Sequence, residues 1–140
     1  MIIGLGTDII DTRRINKTFL KHGNKFKNRC FTKKEILKSE SRANLINSYA
    51  KRYAAKEACA KALGTGLAKG VFWKDIEIVN DKNGKPFIYL YNKALKRFKE
   101  LSSYTLTIEV SLSDEKNYAI ERKDKKLIGR NAMIFFKSLL

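Results

Sequence analysis

Apolar and polar positions change period several times along the chain, and each change marks an element. Met1–Ile10 is apolar apart from Thr7 and Asp8 and predicts a strand. Thr12 is placed to cap a short helix from Arg13 to about His22, with Ile15 and Phe19 four apart on one face and Gly23 as its stop. Residues 24–44 are polar and basic, with a second small helix expected at Lys33–Ser39. The strongest helical period runs over Asn44–Leu63, where Ile46, Tyr49, Ala50, Tyr53, Glu57, Ala60 and Lys61 share a face, and Gly64 and Gly66 end it. Asp75–Asn80 then alternates, Asn83-Gly84 signals a turn, and Phe87–Tyr91 returns as the second strand of a hairpin. Asn92–Leu101 reads as a basic helix, and Tyr104–Leu112 as a strand with Asn117–Glu121 as its partner. Separated helices with mainly antiparallel strands make an α+β arrangement, a sheet packed against one long and several short helices. From Arg122 the chain is basic and then apolar, ending in Met133, Ile134, Phe135, Phe136, Leu139 and Leu140. This stretch is either a packing helix or an apolar partner-binding tail, and packing ranks first because apolar tails bury themselves.

Composition narrows the setting. The 140 residues fit one globular unit, and no apolar run approaches the ~18 residues that cross a bilayer. The N-terminal apolar stretch has no basic region ahead of it and no small-residue cleavage site, so a secretory signal is not expected. Cys30 and Cys59 form no short-spaced pair, which argues against zinc and suits two structural thiols in a reducing, cytoplasmic setting. Thirty Lys and Arg against 14 Asp and Glu give a net charge of +16. A field of that sign attracts polyanions, whether nucleic acid, an acidic protein or a phosphorylated cofactor.

Two acids stand where acids are expensive. Asp8 shares a strand face with Ile2, Gly4, Gly6 and Ile10, and the glycines beside it suggest room for a ligand at the backbone. Glu57 falls on the inward face of the long helix, with Lys61 one turn on. A structural reading gives each a lysine or arginine partner, yet an exposed Glu-to-Lys helical pair contributes only ~0.3–0.5 kcal/mol, too little to bring a carboxylate inside. Together the two acids suit a hard, oxygen-seeking cation such as magnesium, which takes one or two carboxylates and fills its other positions with phosphate and water. Lys61-Ala-Leu-Gly-Thr-Gly66 adds a lysine, two glycines whose amides could turn toward an anion, and a hydroxyl, but without Walker spacing; on these residues alone a plain helix C-cap ranks first. His22, at a helix end among Lys21 and Lys25, reads as a surface residue, and no Ser/His/Asp or Cys/His set assembles.

The segments GLGTDIIDTRRI (4–15), FTKKEI (31–36), YAKRYAAKEACAKALGTG (49–66), DIEIVNDKNGKP (75–86) and EVSLSDEKNYA (109–119) together resemble the holo-[acyl-carrier-protein] synthases, the short form of the phosphopantetheinyl transferase superfamily. They stand in that family's order and cover most of residues 1–121. The resemblance implies that residues 1–121 carry the transferase fold and that 122–140 are an extension of unassigned role. It implies transfer of the 4′-phosphopantetheine arm of coenzyme A to a serine of apo-acyl carrier protein, releasing adenosine 3′,5′-bisphosphate, for fatty acid biosynthesis. Asp8 and Glu57 match the magnesium-binding acids, with manganese as a possible substitute, and with Lys61 they are the catalytic set. Lys61, Gly64 and Thr65 match positions lining the coenzyme A site. Arg14, with Arg13 beside it, matches the basic position that docks the acidic carrier protein, which gives the net charge a purpose. A homotrimer with active sites between subunits is also implied.

One departure concerns the strand motif, which opens with histidine in the family and here reads Glu109-Val110-Ser111-Leu112-Ser113-Asp114. Glu109 and Ser111 are therefore carried over as coenzyme A contacts, with an acid in the histidine's place. Two other readings compete. A basic nucleic-acid module fits the charge, but no helix-turn-helix, zinc-finger, RNP or KH pattern is present. A non-catalytic carrier-protein binder would account for Glu109. Neither nucleic acid nor membrane is the expected partner.

Overall fold

β1 (Ile2–Asp11) runs straight into α1 (Thr12–Cys30), and Asp11 rather than Thr12 caps the helix, accepting from the Arg13 amide at 2.9 Å. The carboxylate wins over the hydroxyl because it also holds the Arg13 guanidinium and faces the positive end of the helix. Gly23 does not stop this helix. Its φ of 46° and ψ of −119° kink the chain, and helix resumes to Cys30 because Phe26 packs edge-on against Phe19 and Phe31. The computed structural model describes residues 1–115 and 129–138.

α2 (Lys33–Glu40) opens on a capping box between Thr32 and Glu35, and α3 (Leu45–Ala62) is capped by Asn44. The α3 face predicted from periodicity holds for Tyr49, Ala50 and Ala60, which are buried, but Ala54, Ala55, Ala58 and Cys59 are buried too. The helix is enclosed almost all round. Among the described residues Cys30 and Cys59 are buried free thiols. After a single 3₁₀ turn (Trp73–Asp75), β2 (Ile76–Asn80) and β3 (Pro86–Leu90) form the expected hairpin, with Gly84 at φ +85° in its turn. α4 (Asn92–Glu100) follows.

The last two strands differ from expectation. β4 (Leu106–Glu115) begins later and runs further than the alternation suggested. The partner expected at Asn117–Glu121, and the boundary expected at residue 121, lie outside the described residues. The strand that pairs with β4 is β5 (Gly129–Ser138), which also pairs with β1, so the sheet order is β1-β5-β4, all antiparallel. The apolar C-terminal stretch is thus neither a packing helix nor a free tail. It alternates, with Ile134 and Phe136 fully buried, and takes the central place in the sheet. The core lies between this sheet and α3.

Candidate functional site

The site is built where β1 and α3 touch. Gly6 and Gly4 set their separation: a Cβ on Gly6 would stand 1.8 Å from the Ala58 carbonyl oxygen, and one on Gly4 2.7 Å from that of Ala62. The glycines therefore do not open space for a ligand, as the sequence suggested. They let the helix backbone lie directly on the strand. That contact carries Asp8 on the inner face of β1 toward Glu57 and Lys61 of α3.

Lys61 crosses to Asp8, its Nζ 2.7 Å from Oδ1, and donates also to the Thr7 carbonyl at 3.1 Å. The helical Glu57–Lys61 reading gives way to this pair because the strand carboxylate is better enclosed. Asp8's side chain is 9% exposed while that of Lys61 is 53% exposed, so the ammonium reaches from solvent onto a shielded acid. Burial first, then the adjacent Asp8, push the Glu57 carboxyl above its ordinary range, and the two carboxyls are hydrogen-bonded; Lys61 and Arg14 act in the opposite sense. Two carboxyls in contact, one already resisting ionisation, form a donor pair that a hard divalent cation would relieve, so the residues fit the magnesium that the sequence implied. No group of three or more His, Cys, Asp or Glu gathers among the described residues, and the carboxyl donors that the described residues bring together here are this pair.

The other expected positions divide. Gly64 and Thr65 follow the end of α3, but the amides of Gly64, Thr65 and Gly66 all donate to carbonyls of its last turn, and the Thr65 hydroxyl to Gly66. The turn is a complete C-cap, and its amides are not turned to an anion. What it offers a ligand is surface: Gly64 and Thr65 form one wall of a groove of about 490 Å³ with Lys69, Lys93 and Arg97. Arg14 is exposed at the start of α1 and close enough to act on Glu57, whereas Arg13 is committed to Asp11. Glu109 and Ser111 are exposed on the outer face of the sheet, opposite to Asp8: β4 turns Ile108, Val110 and Leu112 inward, and Leu112 shares a cross-strand row with Asp8 through Ala132. Within one chain they do not meet the carboxyl pair.

Sequence reasoning passed over the network behind Glu57. Lys56 is fully buried, with its Nζ 2.8 Å from Glu35, 2.9 Å from the Trp73 carbonyl and 2.6 Å from that of Ile76. Glu35 in turn accepts from the Ile78 and Thr32 amides, both at 2.8 Å. This satisfied pair ties α3 to α2 and β2 and fixes the helix that presents Glu57. A lysine among Ala54, Ala55, Ala58 and Cys59 was the available signal, since a small-residue face is a costly place for a solvated charge.

The family model described as the 4′-phosphopantetheinyl transferase superfamily matches residues 4–123. A holo-[acyl-carrier-protein] synthase from Rhizobium meliloti (strain 1021) is 52% identical over 117 residues, covering 82% of this chain and 84% of that protein. The holo-[acyl-carrier-protein] synthase structure from Neisseria meningitidis superposes with a TM-score of 0.74 at 34% identity, over 99% of this chain and 100% of that one. The holo-(acyl-carrier-protein) synthase from Bacillus anthracis str. Ames, in complex with CoA (3′,5′-ADP), superposes with a TM-score of 0.70 at 30% identity, over 99% of each chain.

Proposed function

The chain belongs to the 4′-phosphopantetheinyl transferase superfamily, and from that premise we propose that it makes holo-acyl carrier protein. It transfers the 4′-phosphopantetheine group of coenzyme A to a serine of the apo form. The observation that carries this reading to particular residues is the Asp8–Glu57–Lys61 set at a strand–helix contact that glycines hold too close for anything but backbone.

The reaction forms a bond from the serine oxygen to the phosphorus that carries pantetheine. It breaks that phosphorus's bridge to the second phosphate, and adenosine 3′,5′-bisphosphate leaves. Asp8 and Glu57 would hold Mg²⁺, or Mn²⁺ in its place; when bound, such an ion neutralises charge on the pyrophosphate. Lys61 donates to the transferring phosphoryl group. Its ammonium is half-exposed and already sits at Asp8, so a phosphate placed there comes within its reach. The carboxylates are the proton acceptors this site offers the attacking hydroxyl. Arg14, free of the cap that occupies Arg13, presents positive charge beside the site to an acidic carrier protein, and the +16 net charge steers the encounter.

We further propose a homotrimer with sites shared between subunits. Its support is the separation of Glu109 and Ser111 from Asp8 within the chain, together with the outer sheet face on which Leu5 and Ile9 are 55% and 60% exposed. A neighbouring subunit's Glu109 and Ser111 could then contribute to coenzyme A binding. The setting is fatty acid biosynthesis in the cytoplasm, supported by the relatives' carrier-protein substrate and by two free thiols. Among the described residues no helix is long and apolar enough to cross a membrane.

The test is intact-mass analysis of apo-acyl carrier protein incubated with this protein, coenzyme A and Mg²⁺, beside a sample with EDTA. A phosphopantetheine-sized gain that EDTA abolishes is expected. No gain with a competent carrier would favour the non-catalytic binder.

A further inference from the structure

Over residues 52–62 of α3, Arg52 included, every residue is buried except Tyr53, Glu57 and Lys61. These three stand four apart, so they form one stripe along the helix, each about 6 Å from the next along its axis. This part of α3 is therefore open along a single line. Two residues on that line belong to the carboxyl and lysine set, and the third is Tyr53.

Tyr53 is fixed by its neighbours. Its ring lies against Trp73, with centroids 4.3 Å apart and planes tilted by 31°, and against Phe26 of α1 at 6.0 Å. Trp73 is held in turn, because the buried Lys56 donates to its carbonyl at 2.9 Å. Packing of this kind needs only a ring, and a phenylalanine would supply it. The hydroxyl is what packing leaves unexplained. Burial first, then the charge of Glu57, raise the phenol to about 12, so it is a neutral donor at any working pH. Arg14 and Asp8 act on it as well, so it stands within electrostatic reach of the carboxyl pair and of the start of α1.

In-line phosphoryl transfer needs the attacking and leaving oxygens on opposite sides of the phosphorus. On the transferase reading, on which this role rests, Lys61 with Gly64 and Thr65 marks the coenzyme A end of the stripe, and Arg14 marks the side of the carrier protein. Tyr53 is at the far end from Lys61, about 12 Å along the axis. We propose that the Tyr53 hydroxyl receives the carrier protein's serine, donating to the serine oxygen and turning that oxygen's own proton toward Glu57. The serine proton passes to the carboxylate as the oxygen–phosphorus bond forms and the bridge to the departing adenosine 3′,5′-bisphosphate breaks. Tyr53 keeps its proton throughout.

Tyr53→Phe removes one oxygen and keeps the ring on Trp73, so its melting temperature should match the parent's. With saturating coenzyme A and Mg²⁺, its kcat on apo-acyl carrier protein should fall about tenfold while KM for coenzyme A stays unchanged, as expected for one lost hydrogen bond to the reacting group. A second measurement needs no turnover. Trp73 is the chain's single tryptophan, so its fluorescence follows binding beside Tyr53 when the carrier protein lacks tryptophan. In EDTA and without coenzyme A, the parent should bind the apo carrier about fivefold tighter than a form whose acceptor serine is replaced by alanine, and Tyr53→Phe should bind the two alike. A parental kcat, a raised KM for coenzyme A, a lowered melting temperature, or a serine preference that the parent lacks or the variant keeps would each overturn the role. A parent that transfers while Tyr53→Phe equals it sinks this role alone. A parent that neither transfers nor distinguishes the two carriers sinks the transferase reading with it.

Discussion

At the scale of single residues, the site rests on an ion pair that joins a shielded strand carboxylate, Asp8, to the half-exposed ammonium of Lys61 on α3. Asp8 and Glu57 announced themselves as charges at apolar positions. Lys61, which the local i,i+4 rule offers to Glu57 only as a weak pair, meets instead a carboxylate 53 positions away that only the folded contact brings near. The same blindness hid Lys56 and Arg52: burial of a basic residue depends on what packs over it, and sequence period cannot show that. The state of Glu57 yields a prediction with a definite sign. Its carboxyl is raised above its ordinary value of 4.5 by burial and then by Asp8, so the folded chain holds that proton more tightly than the unfolded one. The associated stability is complete below pH 4.5 and is lost as pH rises through the folded value. In EDTA, Glu57→Gln should therefore gain in melting temperature relative to the parent as pH climbs from 4.5 toward neutrality, while losing transfer activity. A melting difference that stays constant over that range, or normal turnover by the variant, would remove Glu57 from the role given to it.

Elements were legible wherever a cap or a turn is written in adjacent residues. The starts expected at Lys33 and Asn44 and the turn at Asn83-Gly84 hold to within a residue, each at a local cap or turn. The failures came where tertiary contact decides. Gly23 looked like a stop and is a kink, and Gly4 and Gly6 looked like ligand space and are the seat of α3. The two kinds of glycine should behave oppositely on substitution. Gly6→Ala places a Cβ 1.8 Å from one backbone atom and 2.8 Å from another, neither of which can rotate away. Overpacking typically costs about 1–3 kcal/mol, and a backbone obstacle puts this case at or above the upper end. Since α3 carries Glu57 and β1 carries Asp8, a shift near 1 Å should also lower transfer about 100-fold. Gly23→Ala meets nothing within 4 Å and is penalised only through its backbone angles, by about 1–3 kcal/mol. It should melt lower and still transfer. Thermal melts paired with the mass assay on both variants check this, and equal activity in Gly6→Ala would mean that the strand–helix contact does not position the site.

For the whole molecule, the charge and the α+β class could be read from composition and pattern, but assembly and the sheet's centre could not. The outer face of β1 makes an assembly prediction: Leu5→Lys with Ile9→Lys alters side chains already exposed in the subunit, so a folded monomer with depressed activity is expected by light scattering and the mass assay. A trimer that survives both lysines would place the interface elsewhere. The central strand is harder to foresee because Met133–Phe136 is a short apolar run, which fits helix or strand equally until its neighbours are known. Its position has a strong consequence. β1, which carries Asp8, has ladder partners only in β5 among the described strands, and so does β4 within that sheet. Ending the chain at residue 121 would strip both ladders and remove Ile134 and Phe136, each fully buried. Losing side chains of this kind costs about 2–5 kcal/mol apiece, and a domain of this size has only about 5–15 kcal/mol in total. The 1–121 fragment should show no cooperative thermal transition by circular dichroism and no transfer. A cooperative melt with full activity would mean that an earlier segment, such as the alternating stretch expected at Asn117–Glu121, can take the place between β1 and β4. In that case Gly129–Ser138 would be one of two sequences competing for the middle of the same sheet.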